Sequence, residues 1–378
     1  MKTKVIILTV LIVLSFVKQS AFTQDVETKS KKSNPKIQIA LLLDTSNSMD
    51  GLIDQAKSQL WKIVNQLSNS NYEQEKPTLE IALYQYGNDG LSSSEGYIKM
   101  VTDLTTDLDK ISEDLFSLKT YGGQEYCGWV IDNAMKDLNW SESEAVLKLI
   151  FIAGNEEFSQ GSVSYDKVCK LAKEKEIIVN SIFCGDYEEG IRIYWKNGAE
   201  LSGGKYMNID HNAKIAYVET PYDDDIIELN TKLNSTYIAY GSKGEESKNR
   251  QEKQDENAAV YGSGNTVERA LSKSKDAYNN SQWDLVDAAV ENEDIIADMD
   301  KSELPVELQD KTTEEITTYI AEKQGERDSL QNQINEINIK RQLYIEEQSS
   351  NIQDNTLEAV MLKSIREQAE DNGFSFEE

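Results

Sequence analysis

The chain has 378 residues, with 67 acidic against 39 basic side chains and a net charge of −28. That charge argues against nucleic acid and anionic membrane as partners, because both would repel it; it suits solubility and is compatible with cation binding. A single histidine, His211, excludes a histidine-rich metal centre and leaves a Ser-His-Asp triad without support.

Residues 1–23 have the form of a secretory signal: Lys2 and Lys4 precede the apolar run Val5 to Val17, and Ala21-Phe22-Thr23 offers a small-x-small cleavage site. The run is short for a membrane span, and no other segment is apolar enough to cross a bilayer. The expected location is therefore exported, periplasmic or extracellular. Residues 24–35 are polar and Lys-rich and read as a linker.

The first buried element is Ile37–Asp44, an unbroken apolar run ending in a carboxylate, which reads as a parallel strand. Asp44-Thr45-Ser46-Asn47-Ser48 follows, where an open α/β sheet places its ligand site. One carboxylate and two hydroxyls on a tight loop are hard oxygen donors of the kind Mg²⁺ accepts, Mn²⁺ and Ca²⁺ being alternatives. The same serines also suit helix capping, and that reading stays open. Residues 49–67 carry apolar side chains at helical spacing.

Leu79–Tyr86 reads as a second strand, closed by Gly87-Asn88-Asp89-Gly90, and Tyr97–Val101 as a short antiparallel edge strand. Helices are expected at Asp107–Leu118 and Cys127–Leu138, separated by the loop Tyr121-Gly122-Gly123-Gln124-Glu125. Strands follow at Ala145–Ala153, Ile177–Cys184 and Lys205–Ile209, with helices at Tyr165–Lys175 and Ile191–Leu201. Alternating strands and helices give a doubly wound, mostly parallel six-stranded α/β sheet. Three cysteines, Cys127, Cys169 and Cys184, permit one disulfide, with Cys169–Cys184 the favoured pair, or three buried thiols.

After Pro221 the composition turns charged and helix-forming. Residues 222–233, Thr266–Tyr278, Trp283–Met299 and Leu357–Gln368 read as helices. Apolar positions from Ile316 to Tyr344 suit a helical hairpin or coiled coil, and thus a stalk or oligomerising element. Gly262-Ser263-Gly264 follows no strand and is not a phosphate loop. Asp223-Asp224-Asp225 complements a helix dipole. The domain reading is 36–235 for the sheet domain and 242–378 for the helical region.

The strand ending in D-x-S-x-S, the later Gly-Gly loop opening a helix, and the fourth strand with its loop resemble the von Willebrand factor A-type domain over about residues 35–212. In that family two loop-one serines bind Mg²⁺ directly, the Asp acts largely through water, and a partner's carboxylate completes the octahedron. The resemblance implies Ser46 and Ser48 as direct ligands, with Asp44 behind them. The other loops depart from the pattern. Glu125 stands where a Thr is usual. Ala153-Gly154-Asn155 replaces Thr-Asp-Gly, so that Asn155, Glu156 or Glu157 would have to substitute. The candidate metal ligands are therefore Asp44, Ser46, Ser48 and Glu125. Glu125-Tyr126-Cys127-Gly128-Trp129, Ser181-Ile182-Phe183-Cys184-Gly185 and Trp283-Asp284-Leu285-Val286-Asp287 are also similar to a small exported bacterial branch of these proteins.

The expected function is a non-enzymatic protein-binding module using a divalent cation, with the aromatics Tyr121 and Tyr126 beside it as interface anchors. The alternative is a structural or assembly protein that binds through its helical tail and keeps a vestigial metal loop.

Overall fold

The computed structural model describes residues 34–213, 217–348 and 356–376; the expected signal and most of the expected linker lie outside them. The central strand, β1 (Lys36–Asp44), leads through a short 3₁₀ turn into α1 (Asp50–Leu67). The chain then forms β2 (Ser70–Tyr72), β3 (Thr78–Tyr86), β4 (Ile98–Thr105), α2 (Leu108–Ser117) and α3 (Cys127–Asp137). The second half of the sheet is built by β5 (Val146–Gly154), α4 (Tyr165–Glu174), β6 (Ile177–Phe183), α5 (Tyr187–Arg192), α6 (Trp195–Ser202) and β7 (Tyr206–Asn208). The six sheet strands run in the order β4-β3-β1-β5-β6-β7, all parallel except β4, which is antiparallel to β3.

Successive side chains of a strand point to opposite faces, and β1 feeds two cores in this way. Ile39, Leu41 and Leu43 join one, with Leu52, Leu60 and Trp61 of α1. Ala40 and Leu42 join the other, with Val130 and Ile131 of α3 and Trp195 of α6. Because β1 is covered on both faces, its sequence is a continuous apolar run rather than an alternation. β3 lies on one side of β1 and β5 on the other, so the loops after all three strands converge at one rim.

The C-terminal helices are α7 (Asp223–Asn234), α8 (Gly244–Ala259), α9 (Ser263–Ser272), α10 (Leu285–Glu291), α11 (Ile295–Asp298), α12 (Val306–Gln309), α13 (Thr313–Gln348) and α14 (Leu357–Asp371). A short strand, β8 (Phe374–Phe376), pairs antiparallel with β2. No helix among the described residues is long and apolar enough to cross a membrane.

Several expectations change here. The expected hairpin or coiled coil is one continuous helix, α13, about 54 Å long at 1.5 Å per residue. Its Ile316 and Ile320 are buried in a small core with Leu285 and Val286. Its two buried arginines are ion-paired. Arg327 binds Asp284 at 2.7 Å and Asp287 at 2.5 Å, while Arg341 binds Asp223 at 3.0 Å and Glu268 at 3.1 Å.

Nor does the structure draw a boundary between 36–235 and 242–378, since Asn34–Glu378 is one compact unit. The reason is α14, whose Leu357, Met361, Ile365 and Ala369 complete the core on the α1 face of the sheet. Its Gln368 also exchanges hydrogen bonds with buried Asn180 of β6, at 2.7 and 2.9 Å. The favoured disulfide is absent as well. All three cysteines are free and buried, and Cys169 and Cys184 belong to the cores on opposite faces of the sheet.

Ile365 is fully buried at the α14–sheet contact. Ile365→Ala is expected to cost the whole chain about 2–5 kcal/mol in urea denaturation; a loss near zero would show that α14 does not help to hold the sheet.

Candidate functional site

β1 ends by carrying Asp44 into the rim, fully buried. Its Oδ1 accepts the backbone N–H of Ser46 at 2.7 Å, which folds the loop back on the carboxylate. Thr45 fixes the loop to β3, donating its N–H and its hydroxyl to the carbonyl of Tyr86 at 2.8 and 3.1 Å. The Ser46 and Ser48 hydroxyls lie 3.2 Å apart. The side-chain amide of Asn155, at the end of β5, donates to Ser48 Oγ at 3.1 Å. Ser46, at the N-cap of the 3₁₀ turn, makes no side-chain capping bond, and its hydroxyl meets that of Ser48 instead.

Glu125 comes from the loop before α3 and is only 3 % exposed. It lies against Asp44: a Cβ on Gly87, which has φ +73°, would sit 2.7 Å from both Asp44 Oδ1 and Glu125 Cγ. Residue 87 must therefore be glycine, both for its left-handed backbone and for the space the two acids occupy. Asn88 holds the Glu125 loop to this rim. Its side chain donates to the Lys119 carbonyl at 2.9 Å, and Asp89 N–H donates to the Gly122 carbonyl at 2.6 Å.

Asp44 Oδ2 and Glu125 Oε2 are both buried and without a donor. Two ionised carboxylates only accept hydrogen bonds, so this contact needs a proton or a cation. Burial first, and then the Asp44 charge, pushes Glu125 up to about 9. Burial pushes Asp44 up to about 6 against hydrogen bonds from Glu125 and Ser46, and the Glu156 charge raises both acids further. Burial and mutual repulsion thus push the pair toward sharing a proton when no cation is present.

The structure thus brings Asp44, Ser46, Ser48 and Glu125 together, and of the three third-loop alternatives Asn155 bonds Ser48. Glu156 instead accepts from the Gln160 amide at 3.2 Å, and Glu157 accepts from Ser159. Among the described residues no three His, Cys, Asp or Glu side chains are gathered as a metal cage, so hydroxyls must supply the rest of any cation's shell. His211 contacts only the Asn212 side chain, at 3.1 Å, among its side-chain hydrogen bonds. Asp223 is held by Thr220 and Arg341. Cys127 touches the Tyr86 hydroxyl at 3.9 Å, and burial pushes its thiol well up. Trp129 is half-buried on α3, and Tyr121 is 61 % exposed at the rim. Sequence reasoning missed the framework of Thr45, Tyr86 and Asn88; the turn cluster after β3 was its only trace.

The acid pair makes stability depend on pH. Both folded-state values lie above the ordinary 3.8 of Asp and 4.5 of Glu, so the pair's contribution is fully present below about pH 4. It is lost as pH rises through about 6 and then about 9, because the unfolded chain releases protons that the folded one keeps. In chelator, urea stability should therefore fall between about pH 5 and 9, by up to about 1.4 kcal/mol per pH unit for each proton. Glu125→Gln should flatten that slope; an unchanged slope would refute the pairing.

Residues 38–190 match the family model described as von Willebrand factor type A domain. The chain is similar to the BatB protein from Bacteroides thetaiotaomicron, at 18 % identity over 46 % of this chain and 90 % of that one, with a TM-score of 0.36. It is similar to the SpRpn10 VWA domain, at 14 % identity over 48 % of this chain and 100 % of that one, with a TM-score of 0.36. It is also similar to the pilus adhesin SpaC from Lactobacillus rhamnosus GG, at 14 % identity over 47 % of this chain and 28 % of that one, with a TM-score of 0.34. No curated protein matches the chain significantly. With the sheet order in place, residues 38–190 have the fold of the von Willebrand factor type A domain.

Proposed function

We propose that the protein is an exported, non-enzymatic binding module that engages a protein partner at this rim through a divalent cation. The observation that carries the reading is the pair of buried, donorless carboxyl oxygens on Asp44 and Glu125, set beside serine hydroxyls. Hard oxygen donors in this number suit Mg²⁺, with Mn²⁺ or Ca²⁺ as substitutes. Ser46 and Ser48 would hold the ion directly, Glu125 would give up its proton to it, and Asp44 would orient Ser46 from behind. Bound there, the ion supplies positive charge on which an acidic side chain of the partner completes the coordination. Glu125 replaces the family's neutral hydroxyl and Asn155 its acid, so the site keeps a negative charge while moving it from the third loop to the second.

Cys127 lends no support to a catalytic role, since burial and then the Glu125 charge push its thiol well up. Export rests on Lys2, Lys4 and the apolar run after them. It predicts a mature chain, isolated from its native source, lacking about the first 23 residues by mass; an intact N-terminus would overturn cleavage.

Thermal melting of the full chain should rise by several degrees in millimolar Mg²⁺ or Mn²⁺ over chelator, by mass action. Ser46→Ala and Glu125→Ala should each abolish most of the shift. No shift in the wild type would sink the metal reading, and a full shift in Glu125→Ala would remove Glu125 from it.

A further inference from the structure

Next to Glu125 the rim opens into a pocket of about 420 Å³, lined by Gly123, Gln124, Tyr126, Glu156, Gln160 and Gly161. Its charged side chain is one carboxylate, that of Glu156, and no lysine or arginine lines it. The negative charge of Glu156 reaches Asp44 and Glu125, which places it within the field of the acid pair.

Tyr126 gives the pocket an aromatic wall. Its ring stacks on Trp129 at 6.2 Å with 9° between planes, and tilts against Tyr97 at 6.0 Å. Gly161, at φ +91°, closes on the same ring: a Cβ there would lie 2.7 Å from Tyr126 Cδ1. The ring is thus held in place from both sides.

We propose that this pocket receives an arginine side chain of the partner protein. A carboxylate beside an aromatic ring recognises a guanidinium by charge and by cation–π attraction. The amide oxygens of Gln124 and Gln160 add acceptors for the remaining N–H groups, which a compact ammonium uses less well. The net charge of −28 steers a basic segment toward the rim. The inference rests on the reading above only in taking this rim as the docking face. Within that reading, an acid of the partner meets the cation and a base of the same partner enters the neighbouring pocket.

The test is a titration of the isotope-labelled full chain with the probe acetyl-Gly-Ser-Arg-Ser-Gly-amide, followed by NMR, in Mg²⁺ and in chelator. Lys and Glu versions of the probe are run beside it. The Arg probe should shift the amide signals of Gly123, Gln124 and Gly161, the Lys version less, and the Glu version should leave these three unmoved. Glu156→Gln and Tyr126→Ala should each weaken binding by about threefold or more, while Tyr126→Phe and the remote, exposed Glu293→Gln should leave it unchanged. Shifts spread over the acidic surface, equal weakening by Glu293→Gln, or no binding would overturn the proposal. A melting shift with metal together with Glu156-independent peptide binding would leave the cation site standing and remove the pocket. Glu156-dependent binding without any metal effect would do the reverse.

Discussion

Two carboxyls meet inside the rim of this protein, and the surrounding loops are arranged around their meeting. Asp44 arrives on the central strand and Glu125 on the loop before α3. Neither has a donor for its inner oxygen. Such a contact is repulsive when both acids are ionised and stable with a positive charge between them, either a proton or a metal ion. Gly87 leaves the space for them, Asn88 fixes the second loop to the first, and Ser46 turns its backbone back onto Asp44. The geometry therefore links protonation, cation binding and loop position at one place.

That rim is held by a core that the chain completes only at its far end. α14 fills the α1 face of the sheet, and β8 pairs with β2. Before them in the chain come the helices α7 to α13, tied to one another by Arg327 and Arg341 through buried ion pairs. Removing one partner of such a pair leaves an uncompensated buried charge and costs about 3–5 kcal/mol. The helical region is thus part of the scaffold of the A-type domain, and the one apolar stretch of α13 left in solvent is at Ile339 and Leu343, 64 % and 56 % exposed.

The two proposals for the rim use neighbouring groups: a divalent cation at the acid pair and the serines, and an organic cation at Tyr126 and Glu156. Asn155 in the third loop is neutral and bonds Ser48, so the acids that remain belong to the second loop and to Glu156.

The local pattern by itself determined the sheet. Continuous apolar runs such as Ile37–Leu43 must be buried on both faces, and helices between parallel strands can only cover those faces. It also placed Asp44, Ser46 and Ser48 on one loop, because residues so close in sequence are necessarily close in space. Glu125 was legible through its place after the Gly-Gly loop. The bond from Asn155 to Ser48 was not, since three adjacent polar residues differ only in the direction each side chain takes. Tertiary structure alone decided that α13 is one helix whose arginines face inward. It decided that Cys169 and Cys184 lie on opposite faces of the sheet, and that α14 returns to the sheet from the far end of the chain. These are contacts between residues far apart in sequence, and hydrophobic periodicity says which side of an element is buried without saying what buries it.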